Sequence, residues 1–161
     1  MKDLAEVLRT LVEDTAPTLA ALSEAVAEKP PAPGKWSPKE ILGHLIDSAS
    51  INHGRFVRAQ LQETLVFDGY AQALWVELQG YAEADWQELV TFWRRYNLKI
   101  ARLVERVPAS VASQQRHPHS LHKIAWQTVP ENESTTLAYL VEDYINHLRH
   151  HLRQIHNITG T

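Results

Sequence analysis

The chain has no cysteine in its 161 residues, which excludes disulfides, thiolate metal ligands and a cysteine nucleophile together. That absence suits a reducing compartment, and a cytoplasmic location is the expectation. No apolar run approaches the roughly 20 residues of a membrane-spanning helix. The opening MKDLAEVLRTLVEDT mixes charges of both signs on an amphipathic pattern, unlike a signal peptide. A basic excess is missing too. Sixteen Lys and Arg face 19 Asp and Glu for a net charge of -3, so no nucleic-acid footprint is expected. Internal repeats, low-complexity tracts and alternating strand-like stretches are all lacking. At this length one domain spanning residues 1–161 is expected. A domain of this size buries roughly 70% of its unfolded surface and needs no staples.

What the chain does have is helical periodicity and nine histidines. The spacing predicts four long helices. The first runs from Lys2 to Glu28 on a stripe of Leu4, Val7, Leu8, Leu11, Val12, Leu19 and Leu22, kinked or divided at Pro17. The second begins sharply at Ser37-Pro38-Lys39-Glu40, an N-cap with Pro at the first helical position and a capping-box Glu, and runs to about Gln62. A connector with a short helix near Ala71 to Leu78 leads to the third, from Asp85 to Val107. Residues 108–133 are the least regular. Ser134 is the predicted cap of the last helix, Thr135 to Ile158. Four such helices imply an all-α, four-helix-bundle fold; the pattern alone leaves their connection open.

Helical angles sort the histidines. At about 100° per residue, Leu137, Leu140, Val141, Tyr144, Leu148, Leu152 and Ile155 share one face, with His151 at its centre and His147 at its edge. His150 is rotated away. Two imidazoles one turn apart can reach one ion, as in helical zinc sites. On the second helix, Ile41, Leu42, Leu45, Ala49 and Phe56 mark the buried stripe. His44 borders it beside Ser48, Asn52 and Arg55, while His53 lies on the other side. The histidines at 117, 119 and 122 fall in a predicted loop and read as a polar connector. The aromatic residues Tyr70, Trp75, Trp86 and Trp93 read as packing.

The stretch KWSPKEILGHLIDSASINHGRFVRAQL together with LVEDYINHLRHHLRQI resembles the DinB-like (DinB/YfiT-type) metalloenzyme family. The resemblance rests on Trp36-Ser37, His44-Leu45-Ile46-Asp47, and His147-x3-His151 followed by Arg153-Gln154-Ile155. It implies an up-down-down-up bundle, a homodimer, and a site of His44, His147 and His151 holding zinc or nickel. Some members of that family use low-molecular-weight thiols in transferase or isomerase reactions; fold likeness alone names no reaction.

Three neutral nitrogen ligands leave a coordination position for water or substrate, the arrangement of catalytic rather than structural zinc. Two functions follow from this. One is a metal-dependent enzyme, a thiol S-transferase or hydrolase acting on a small molecule. The other is a non-catalytic metal-binding dimer associated with stress. For the surroundings, Asp143 and Gln154 are candidates to accept a ring N–H and fix a tautomer. Asp47 does likewise or is a solvated helix residue. Asn52 and Arg55 face a substrate or bond between helices.

Overall fold

The computed structural model describes residues 1–160. Its long helices are α1 (Lys2–Ala20), α2 (Pro38–Arg58), α3 (Trp86–Glu105) and α4 (Leu137–Thr159). Among the described residues there is no strand, only the isolated bridges Leu65 with His119 and Arg116 with Thr135. The all-α reading holds.

Three of the four long helices start at a side-chain cap, α1 being the exception. Ser37 Oγ accepts from the Glu40 N–H, and the Glu40 carboxylate accepts from the Ser37 N–H at 2.8 Å, closing the capping box. Asp85 accepts from Glu88 N–H at 2.8 Å at the head of α3. Such caps contribute about 1 kcal/mol each. The cap of α4 is Thr136 rather than Ser134, its side chain accepting from Tyr139 N–H at 3.1 Å. The reason is long-range. Thr135 is held extended by a backbone pair with Arg116, at 2.8 and 3.2 Å, so the helix cannot begin there.

Other ends also fall short of the sequence pattern. Pro17 sits inside α1, which stops at Ala20; after a break a separate turn, Glu24–Ala27, covers the rest of the predicted helix. Val7 faces solvent, whereas Leu8, Val12, Leu19 and Leu22 are buried. The second helix ends at Arg58, because the buried Arg116 guanidinium takes the carbonyls of Ala59 and Gln62 beyond it. A cation there also suits the negative end of the helix dipole.

The pairing of side chains fixes the direction of every helix. Arg9 meets Glu105, and Trp86 Nε1 donates to the Leu19 carbonyl at 2.8 Å, so α1 and α3 run antiparallel. Phe56 packs on Tyr144 and His44 on His151, so α2 and α4 are antiparallel too. Glu24 accepts from Trp86 N–H at 3.1 Å and pairs with the Lys39 ammonium, placing the starts of α2 and α3 at the same end. His53 facing Tyr96 keeps them parallel further along. The connection is therefore up-down-down-up. One continuous apolar core runs between the helices, with Trp86, Trp93, Tyr144 and Phe56 among its largest side chains.

One glycine matters for placing α2. A Cβ at Gly43 would lie 2.2 Å from the Tyr81 ring, so only glycine lets the turn Tyr81–Glu83 press on the helix. Its contact point, Gly43, directly precedes His44.

Candidate metal centre

His44 and His147 face each other across the α2–α4 seam, Nε2 to Nε2 at 3.1 Å. His151 completes the group, one donor nitrogen from each ring lying within 4.8 Å of the others. The ring centroids are 5.1 Å apart for His44–His147, 4.7 Å for His44–His151 and 4.5 Å for His147–His151. Two imidazoles on one tetrahedral ion, at about 2.0–2.1 Å each, hold their nitrogens roughly 3.3 Å apart. The 3.1 Å spacing of His44 and His147 is close to that.

The outer nitrogens are tethered unequally. His151 Nδ1 lies 2.6 Å from Gln154 Oε1, an oxygen that can only accept, so Nδ1 carries the proton and Nε2 presents its lone pair. Ser48 Oγ lies 3.4 Å from His147 Nδ1. His44 is wholly buried and its Nδ1 has no partner among the described residues. Burial first, then the charge of His151, lowers the His44 pKa from 6.5 to about 4. Burial first, then His151, His44 and His150, holds His147 well below its ordinary value. His151 is lowered by burial, against the pull of Gln154. All three are thus neutral near pH 7, which is the form that ligates a metal.

The cluster opens onto a cavity of about 260 Å³ bordered by Asn52, Arg55, Tyr70, Lys123, Trp126 and Asp143. Its wall is a loop held by Asp143, whose carboxylate accepts from the backbone N–H of Trp126 at 2.9 Å and of Gln127 at 2.7 Å. Trp126 then stands beside the site, its ring 5.7 Å from His147 and 4.4 Å from His150. Trp36 closes the other flank, 5.2 Å from His44.

Two residues have partners other than those the sequence pointed to. Asp47 neither bonds a ring N–H nor is solvated: it is buried and accepts from Tyr81 Oη at 2.7 Å and Gln79 Nε2 at 3.3 Å. Asp143 reaches no imidazole, because both its oxygens hold the Trp126–Gln127 backbone. Of the tautomer-fixing candidates, only Gln154 touches a ring. Asn52 and Arg55 border the cavity and bond each other, Arg55 Nη1 donating to Asn52 Oδ1 at 3.3 Å. His53 points elsewhere, to Tyr96 Oη at 3.2 Å.

The loop histidines have local partners instead. His119 accepts from Leu121 N–H at 3.1 Å and reaches the Glu133 carbonyl at 2.9 Å, while His117 meets the Glu131 carbonyl at 3.1 Å. They knit residues 117–133 together. Sequence reasoning missed Trp126, which carries no periodic signal because it lies in that irregular stretch.

Comparison with known proteins agrees with this architecture. No curated protein matches the chain in sequence. A solved structure, YfiT from Bacillus subtilis, superposes with a TM-score of 0.80 at 20% identity, covering 99% of this chain and 86% of that one. YfiT is described as a probable metal-dependent hydrolase with an unusual four-helix bundle topology; at this identity the likeness speaks for the fold alone. The sequence model of the DinB superfamily matches residues 8–155, a span that takes in all three clustered histidines and the caps of α2 and α4. The chain belongs to the DinB superfamily.

Proposed function

We propose that His44, His147 and His151 hold one divalent cation, zinc or nickel, and that the chain is a metal-dependent enzyme acting on a small molecule in the adjoining cavity. The observation that carries this reading is the convergence of three neutral imidazoles on one point at the edge of a polar cavity. Closed structural zinc sites use four protein ligands, whereas three with an open position is the catalytic arrangement. A bound cation of this kind supplies a Lewis acid that lowers the pKa of a water or thiol.

The chain's own residues supply placement. Gln154 holds the proton of His151 on Nδ1, Ser48 stands against His147 Nδ1, and the Asp143-anchored loop sets Trp126 over the opening. Hydrolysis and transfer of a low-molecular-weight thiol both fit a site with no cysteine, since the sulfur would arrive on the cosubstrate. The homodimer implied by the family resemblance and the cytoplasmic location expected from the absence of cysteine belong to the same proposal, as does a one-domain reading of the chain.

The test is metal analysis of the wild type and His147→Ala, followed by screening the loaded protein against ester, amide and thiol-acceptor substrates. One equivalent of metal in the wild type, lost in the variant, supports the site. Equal metal in both removes it. A loaded protein with no turnover on any substrate class leaves the non-catalytic metal-binding dimer as the reading.

A further inference from the structure

The cavity beside His147 and His151 is lined by a buried cation that no carboxylate touches, Asp143 and Asp68 acting on it only at longer range. Arg55 is only 4% exposed. Its Nη1 donates to Asn52 Oδ1 at 3.3 Å and its Nη2 to the Asp68 backbone carbonyl at 2.7 Å. Both acceptors are neutral. A guanidinium has five N–H donors, and Nε is among those left without a partner. No ion pair to Arg55 occurs among the described residues. The carboxylate that shares the cavity, Asp143, commits both oxygens to the backbone of Trp126 and Gln127.

Lys123 adds a second positive charge at the rim. The ligand set proposed above is three neutral rings, so it offsets none of the charge of a divalent ion. With Asp143 offsetting one of the two side-chain cations, the cavity with a bound ion is still positive, in a chain whose net charge is -3. A buried charge without a contacting counter-ion is costly, and a ligand carboxylate in contact with it offsets that cost. Holding Asn52 and the Asp68 connector takes one N–H from each Nη, and leaves Nε and the remaining Nη donors unused.

We propose that Arg55 binds a carboxylate of the substrate, so that the cavity selects small molecules carrying a single negative charge next to the group presented to the three histidines. This rests on the metal reading given above. One fixed guanidinium on the cavity wall matches one carboxylate, and arginine forms its strongest hydrogen bonds with that partner.

The test uses the cobalt-loaded wild-type protein, whose visible bands report both metal uptake and exogenous ligation. It is titrated with 3-mercaptopropionate and with the neutral 3-mercaptopropionamide, two thiols of the same length and similar size of which only the first carries a negative carboxylate. The wild type is expected to bind the acid about ten-fold more tightly than the amide. Arg55→Gln removes that preference, and Arg55→Lys keeps part of it. Equal affinities in the wild type overturn the proposal, whatever the variants do, as does a full preference persisting in Arg55→Gln. If the wild type takes up no cobalt, the metal reading fails and this inference with it. If Arg55→Gln does not fold, the wild-type ratio and the lysine variant decide.

Discussion

The two halves of the bundle are built to different rules. Where α1 meets α3, the seam is apolar, with Leu8, Val12, Val90, Trp93 and Ile100 buried and the ion pairs Arg9–Glu105 and Glu13–Arg94 kept at the surface. Where α2 meets α4, polar groups enter the interior: His44, Ser48, Asn52 and Arg55 from one helix, Asp143 and His151 from the other. Burying polar atoms costs free energy unless each finds a partner, and here some do not, among them His44 Nδ1 and Arg55 Nε. A seam that stabilises the fold thus lies opposite one whose composition makes sense for binding. The contrast teaches that stability and chemistry are carried by different helix pairs.

The contrast can be broken from either side. The largest effect is expected in the apolar half: Trp93→Ala removes a fully buried ring and should cost about 3–5 kcal/mol in urea unfolding. Gly43→Ala forces a methyl into the Tyr81 ring and should cost about 1–3 kcal/mol, read as a lower melting temperature. In the polar half the sign reverses. His44→Leu replaces an imidazole with an orphaned nitrogen and should stabilise the metal-free protein by about 1 kcal/mol while abolishing stabilisation by added zinc. A loss of metal-free stability in His44→Leu would mean that the α2–α4 seam is a structural core like the other.

A pH dependence is expected as well. An unfolded imidazole titrates near 6.5 and the buried His44 near 4. Between those values the unfolded chain binds more protons, so stability of the metal-free protein is retained above pH 6.5 and falls as pH drops towards 4. Denaturation midpoints measured across that window check it, and His44→Leu should reduce the slope, His147 and His151 keeping the rest.

The same contrast explains what could be read from the residues alone. Amphipathic period and caps are local, so the four helices, the Ser37 and Asp85 starts and the inward faces of α2 and α4 were legible. His147 and His151 share one helix face, which makes their pairing legible as well. That His44 joins them depends on how α2 docks on α4, and the family likeness supplied it. The partners of Asp47 and Asp143 were illegible because they lie on other elements: Tyr81 is 34 residues from Asp47, and Trp126 is 17 residues from Asp143. The delayed start of α4 at Thr136 has the same origin, in the pairing of Thr135 with Arg116. Long-range partners leave no trace in a helical period.

The central claim is that three histidines from two antiparallel helices hold one metal ion and leave a position open. X-ray absorption at the metal edge of the zinc-loaded protein tests it most directly. The account predicts three imidazole nitrogens at about 2.0–2.1 Å and one further light ligand that exchanges when a thiol is added. A shell of four protein ligands that no thiol displaces, or an unchanged spectrum in His44→Ala, would contradict it.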